Sequence, residues 1–299
     1  MKLSVLFWLL SFLCHYFLLA FSRVEGVEQK IYSCYSQHPL QIRNSKRRIQ
    51  QLKYKKCLIN TAEDFPTLGQ NNEDVKIWRR FFRQKQHEDL LFVEMGALDG
   101  IKFSNTAVFE YCYGWKGILI EPNFKSYVQA ARNRPCLHTV WAAVCPRKYQ
   151  SHAYFSDKAG TSKIISNNIS YPSYLGSRVP CRTLSSIFAD HEINHIDFFS
   201  LDVEGAELYA IRSIDFSKVT ISVLIIERNE LKKDESVESS VKLAEVEKIL
   251  TVKAGMVKLP TDGSQVPECQ RLRKNMTIGH FNLWGSDLYV EKSLRDDIC

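Results

Sequence analysis

The chain has 299 residues, 45% of them hydrophobic and 24% charged, with a formal charge of +7. That apolar share suffices for a sizeable core, which excludes a disordered or fibrous chain, and no internal repeat or low-complexity tract points to a solenoid. The balance is only mildly basic. Its densest run is Arg43, Lys46, Arg47, Arg48, Lys53, Lys55 and Lys56, and it lacks the repeated aromatic interleaving that grips nucleic acid. It reads as a solvated stem, with an acidic glycan, a membrane surface or another protein as the alternative partner.

At the N-terminus Lys2 precedes the apolar run Leu3 to Phe21, which ends in Ser22-Arg23-Val24-Glu25-Gly26. A charge in front, an apolar stretch and small residues behind mark residues 1–26 as a secretory signal peptide or an uncleaved signal anchor. The run exceeds the usual signal core and approaches the roughly 20 residues that span a bilayer, so both forms stay open. Either delivers the rest to the lumen or outside, with membrane contact only through the uncleaved segment. Of nine cysteines, Cys14 lies in this segment. The other eight, Cys34, Cys57, Cys112, Cys136, Cys145, Cys181, Cys269 and Cys299, are even in number, lack Cys-x-x-Cys spacing and suit an oxidised framework. Asn168-Ile169-Ser170 and Asn275-Met276-Thr277 are glycosylation acceptors in that compartment.

Residues 27–72 form the basic stem and linker, closing on a turn-rich stretch with Pro66, Gly69, Asn71 and Asn72. From Glu73 to about Gln86, Val75, Trp78 and Phe82, with Ile77 and Phe81 beside them, recur at helical spacing and open a domain over 73–299. Strands are expected at Leu90–Met95, Gly117–Glu121, His138–Val144, Ile196–Asp202, Ile221–Glu227, Met256–Leu259 and Asp287–Glu291. Helices are expected through Val108 and Phe109, through Phe124, Tyr127, Val128 and Ala131, and through Val241, Val246, Ile249 and Leu250. Alternating strands and helices imply an open, mostly parallel α/β sheet of about seven strands with helices on both faces. The last two strands are joined without a helical pattern, which suits an antiparallel final strand. The interval Pro146 to Pro180, rich in Ser, Asn, Tyr and Gly, is longer than an ordinary loop and reads as an insertion that shapes a site or decorates the surface.

The strand Phe92-Val93-Glu94-Met95 runs into Gly96-Ala97-Leu98-Asp99-Gly100, and the next strand ends in Glu121, 21 residues beyond Gly100. Glycines at such a turn let a nucleotide approach the backbone, and an acid at the neighbouring strand tip takes both ribose hydroxyls. The third glycine of a dinucleotide turn is absent, which disfavours a nicotinamide oxidoreductase. A second block, Ile196 to Glu207, ends in Asp202-Val203-Glu204-Gly205-Ala206-Glu207. With that Asp-x-Glu-Gly-x-Glu pattern matched throughout, the chain resembles the FkbM-type methyltransferases, over roughly Glu73 to Glu291.

The resemblance implies a class I, Rossmann-like fold and S-adenosylmethionine as methyl donor, with Glu94, Gly96, Gly100, Glu121 and Asp202 around it. Glu94 is expected under the methionine end and Glu121 on the ribose. Asp202 and Glu204 are the catalytic candidates, Asp202 as base or orienter of an acceptor hydroxyl. Glu207 is read as capping the next helix through its N–H groups. Asp202, Glu227 and Asn229 form an oxygen set that a divalent metal would accept, although three oxygens at loop tips also occur without one. His138 and His195 are further base candidates. The expected reaction is O-methylation of a hydroxyl, on a glycan or glycoconjugate of the secretory pathway. The alternative is a catalytically inactive member acting in trafficking or protein binding, as Star-type factors do.

Overall fold

The computed structural model describes residues 67–83, 89–145, 151–155, 164–166, 177–228, 237–261, 283 and 285–294. The targeting segment, the basic run, Asn168, Asn229, Asn275, Cys34, Cys57, Cys269 and Cys299 lie outside the described residues. Among those described, no helix is long and apolar enough to cross a membrane.

Ten strands and six helices follow in chain order among the described residues. The strands are β1 Leu91–Met95, β2 Lys116–Ile120, β3 His138–Val140, β4 His152–Phe155, β5 Ile164–Ser166, β6 Ser177–Pro180, β7 His195–Leu201, β8 Thr220–Glu227, β9 Met256–Leu259 and β10 Ser286–Glu291. The helices are α1 Glu73–Ile77, α2 Ala107–Tyr113, α3 Phe124–Asn133, α4 Leu184–Asp190, α5 Glu207–Arg212 and α6 Val237–Lys248, with π turns extending α1 over Trp78–Phe82 and α6 over Ile249–Lys253.

Seven strands form one sheet in the order β3-β2-β1-β7-β8-β10-β9. β1, β2, β3, β7 and β8 are mutually parallel, and β10 is antiparallel to both its neighbours. The chain starts mid-sheet at β1, steps outward to β3, then returns to lay β7 against the other side of β1. The strand order therefore reverses between β1 and β7, where open α/β sheets hold their ligands beyond the carboxyl ends.

Alternation along each strand sends side chains to opposite faces, and both faces are covered. Val93, Met95, Ile118 and Ile120 join Phe188, Phe199, Leu208 and Leu250 on one side, while Phe92, Leu119 and Phe198 join Trp78, Phe82, Phe109 and Trp115 on the other. The second face is an aromatic pile, with Trp115 lying 4.9 Å from Phe82 and 4.6 Å from Phe109 between ring centroids. Gly117 makes room for it, since a Cβ there would fall 2.2 Å from the Phe92 ring.

Two expectations are corrected. The third strand does not reach Val144 but stops at Val140, because the Ala143 N–H bonds the Pro180 carbonyl and the Ala143 carbonyl takes the Arg182 N–H. The Cys145–Cys181 disulfide, with its Cα atoms 5.6 Å apart, holds this crossover in place. The long interval, read as an insertion, carries its own antiparallel sheet, ordered β5-β4-β6. Residues 67–72, read as stem, fold back onto α1. There Asp74 accepts the Thr67 hydroxyl and the N–H groups of Leu68, Gly69 and Val75, at 2.6 to 3.2 Å, and Glu73 accepts both the backbone and side-chain N–H of Asn71. The antiparallel final strand is as expected.

Candidate functional site

The carboxyl ends of β1 and β7 meet so closely that they dictate a residue. Gly96 follows β1 at φ +87°, its N–H bonded to the Ile120 carbonyl at 2.9 Å, and a Cβ on it would lie 1.7 Å from the Asp202 carbonyl oxygen. The sheet itself therefore requires glycine here, before any ligand does. Gly100, at φ +78°, backs onto α3, where a Cβ would come within 3.3 Å of Ala130. Leu98, Phe103 and Glu204 adopt left-handed conformations with φ of 49°, 62° and 55°. Strained non-glycine backbone tends to gather at functional sites, and here all three residues sit on the same edge of the sheet.

Glu94 lies beneath this turn and is buried. It accepts the Ser104 hydroxyl at 2.8 Å, the Asn105 N–H at 2.8 Å and the Thr106 hydroxyl at 2.7 Å. Arg134, fully buried at the end of α3, reaches Glu94 at 3.2 Å and Glu110 at 2.5 Å. It also donates to the Gly100 carbonyl and lies over the Phe92 ring. Glu94 thus shapes the 100–106 loop from below.

Glu121, at the tip of β2, is buried and accepts the N–H of Leu98 and of Asn123, each at 2.8 Å. Each carboxylate oxygen thereby holds one backbone donor and keeps a lone pair for another. Burial, only partly offset by these bonds, pushes its pKa up to about 7. Three residues on, Phe124 is 50% exposed and packs edge-on against Trp141 at 5.0 Å, with Tyr127 stacked on the same indole. Trp141 is fixed by its indole N–H on the Pro122 carbonyl at 2.9 Å. An acid beside an exposed aromatic is the chemistry that takes a ribose and a flat base.

Asp202 follows β7, two strands from Glu121 and so about 10 Å away at the usual strand spacing. Burial pushes its pKa up to about 9, helped by a hydrogen bond with the Glu227 carboxyl and by the charges of Glu227, Glu204 and Glu207. At neutral pH the Asp202 carboxyl therefore keeps its proton, which it directs at Glu227. Glu207 accepts the Val203 and Gly205 N–H groups through Oε1, so it braces the turn ahead of α5 rather than capping the helix as expected, while Oε2 is buried without a hydrogen bond, and burial raises its pKa. Beside the pair opens a small cleft lined by Gln70, Asn71, Glu73, Phe103, Asn105 and Ser200, among others.

The structure brings Gly96, Glu121, Asp202, Glu204 and Glu227 to one edge, with Glu94 and Gly100 supporting the turn from behind. Asn229 is outside the described residues, and among those described no group of three or more His, Cys, Asp or Glu could hold a metal ion. His138 and His195 begin β3 and β7 at the opposite edge, where the His138 ring lies tilted against His191 and His195 contacts Thr220, so neither serves this cleft as a base. Sequence reasoning missed Arg134, the aromatic pair Phe124 and Trp141, and the cleft wall from Gln70 to Glu73. Only the position of Phe124, three residues past the ribose acid, offered a signal.

Residues 94–255, more than half of the chain, match the family model for the methyltransferase FkbM domain. Among solved structures, the chain is similar to an O-methyltransferase from Bacillus cereus in complex with SAH at 12% identity, over 83% of this chain and 91% of that one, with a TM-score of 0.39. It is similar to the methyltransferase FkbM from Methylobacillus flagellatus at 14% identity, covering 77% of this chain and 50% of that one, with a TM-score of 0.39. A TehB-like SAM-dependent methyltransferase from Corynebacterium glutamicum is matched at 10% identity over 83% and 98% of the two chains, with a TM-score of 0.38. Comparison with curated proteins returns no match.

Proposed function

The chain belongs to the FkbM methyltransferase family, and on that premise we propose that it moves a methyl group from S-adenosylmethionine to a hydroxyl of a glycan or glycoconjugate in the secretory pathway. The observation that carries this reading is the layout of the sheet edge. Glu121 with Phe124 stands at one end, the Asp202–Glu227 pair at the other, and the cleft opens beside that pair.

The donor, when bound, supplies a methyl group on a sulfonium. The chain's part is to hold the two reactants in line, exclude water and take up a proton. Glu121 would accept the two ribose hydroxyls while Phe124 covers the base. The acceptor hydroxyl would give its proton to a carboxylate oxygen of the Asp202–Glu227 pair as its oxygen takes the methyl group. Glu204 acts through charge, raising the affinity of Asp202 for that proton.

Glu121→Ala should weaken S-adenosylmethionine and its demethylated product alike, by roughly tenfold to a hundredfold, since a charged partner to two hydroxyls is worth about 1.5–3 kcal/mol. Calorimetry that finds affinity unchanged would remove Glu121 from the site. The acid titrates at about 7 in the free protein, and the ribose needs its ionised form. Donor affinity should therefore hold above pH 7 and decline by up to about tenfold for each unit below it. Glu121→Gln should flatten that profile.

An oxidising compartment is supported by the Cys145–Cys181 disulfide, and Cys112 and Cys136 are disulfide-bonded as well. Glycosidase treatment should shift gel mobility through Asn168, Asn275 or both, and unreduced peptide mapping should recover the Cys145–Cys181 link. A protein isolated without glycan and fully reduced would overturn the compartment.

A further inference from the structure

The segment 140–145 runs from the edge that holds Glu121 to the small sheet, and it is pinned at both ends. At the first, the Val140 carbonyl takes the Glu121 N–H at 3.0 Å, and the Trp141 indole N–H donates to the Pro122 carbonyl at 2.9 Å. At the second, the Ala143 N–H and carbonyl bond Pro180 and Arg182 at 2.9 and 2.8 Å, and Cys145 is joined to Cys181, 36 residues on. The Cys181 N–H in turn bonds the Ser151 carbonyl at 2.8 Å, just ahead of β4. The disulfide thus ties the small sheet to the segment that carries Trp141.

Packing carries the same connection through side chains. Ala153, Phe155 and Val179 of the small sheet are buried with Ala143, and Trp141, Cys145 and Cys181 lie against that cluster. Phe124 rests on Tyr127 of its own helix at 6.0 Å between ring centroids, while Trp141 supports it from outside the helix at 5.0 Å. Two alanines, a valine and a phenylalanine bury little apolar surface for a sheet to stand on. The covalent link therefore decides whether the small sheet stays in place, because closing a separation of 36 residues removes much chain entropy from any state in which the sheet has let go.

We propose that the Cys145–Cys181 disulfide, with the small sheet it anchors, positions the wall that meets the donor's base: it holds Trp141, and through Trp141 it holds Phe124. Donor affinity then depends on the oxidised link, and the chain gains its full hold on the donor only after oxidation. This rests on the donor reading above, and it gives the insertion a part in shaping the site rather than decorating the surface.

Calorimetry with S-adenosylhomocysteine on the full chain tests it. Phe124→Ala should weaken binding by about tenfold, the usual loss when a base is deprived of its aromatic partner. Cys145→Ala with Cys181→Ala should weaken it by about fivefold, and all three substitutions together should bind no more weakly than Phe124→Ala alone, since the link acts through that ring. Additive losses, or unchanged affinity without the link, would overturn the assignment. The Trp141 indole N–H, identified in NMR spectra by its loss in Trp141→Phe, gives a readout that needs no ligand. Without the link its hydrogen exchange should quicken by about tenfold or more, and unchanged exchange would equally overturn the assignment. If the parent fails to bind S-adenosylhomocysteine, the transfer reading falls, and indole exchange still decides whether the link holds the aromatic wall. Should the chain without the link not fold, Val179→Ala keeps the link and thins the cluster against Trp141. Its binding should fall by about threefold and no further in the Phe124→Ala background, and an additive loss there would overturn the assignment too.

Discussion

Arg134→Ala is expected to destabilise the protein by about 3–5 kcal/mol, the loss that follows when one partner of a buried ion pair is removed. Arg134 is 0% exposed and lies between two buried carboxylates, Glu94 and Glu110, while also donating to the Thr106 hydroxyl at 3.0 Å and to the Gly100 carbonyl at 3.3 Å. Its deletion leaves two negative charges in the protein interior with no cation between them, and it opens a space the length of the side chain. Arg134→Lys should fall only slightly short of this, because a lysine offers a point charge in place of a planar fork to two acids on different elements. In urea denaturation Arg134→Ala should recover part of the loss as the pH is lowered, since the stranded carboxylates then take up protons. Adding Glu110→Gln should recover part of it at neutral pH. A deficit below about 1 kcal/mol would mean that solvent reaches the acids and that the network is not a support of the 100–106 loop.

That network also shows where sequence reading stops. Glu121 and Asp202 were legible because the residues ahead of them, Lys116–Ile120 and His195–Leu201, are apolar runs of strand length, and a strand must expose whatever polar residue follows its buried part. The central strands read easily for the same reason: Ile221 to Ile226 are buried throughout, apart from the narrow margin of Ser222. Arg134 carries no such signal. Its meaning depends on α3 ending beneath a loop that lies 30 residues earlier, a long-range contact with no local period. The two glycines of the first turn were read as space left for a ligand, yet Gly96 faces a carbonyl of the neighbouring strand and Gly100 faces a helix. The residue type was legible, but its cause was not. The short β3 was hidden too, because hydrophobicity continues through Ala142, Ala143 and Val144 while the Ala143 backbone bonds Pro180 and Arg182 instead. The cleft wall from Gln70 to Glu73 looked like linker, since turn residues anchored by buried acids have the same composition as turn residues in solvent.

Asp202→Asn should lower turnover by about 10²- to 10⁴-fold, the usual contribution of a general base, and leave donor affinity nearly unchanged because Glu121 lies two strands away. The replacement keeps the shape and gives Glu227 an amide N–H in place of the Asp202 O–H, so the hydrogen bond survives. Its effect on stability separates a chemical role from a structural one. An acid whose pKa is raised from 3.8 to about 9 contributes stability that is full below about pH 4 and is lost as the pH rises through 9. At neutral pH most of that contribution has already gone, and an asparagine escapes the loss. The variant should therefore melt no lower than the parent while turning over far more slowly. The pH profile offers a second readout. If Asp202 must be ionised to accept the hydroxyl proton, kcat/KM of the parent should climb toward pH 9. Glu227→Gln removes the partner's charge and should move that rise part of the way to lower pH, burial accounting for what remains. A chelator that inhibits the parent, with Mg²⁺ or Mn²⁺ restoring it, would instead assign the pair to a metal. Full turnover in Asp202→Asn would place the proton acceptor elsewhere. A variant both slow and markedly less stable would make the pair a part of the scaffold, since a base can be lost without disturbing the fold that holds it.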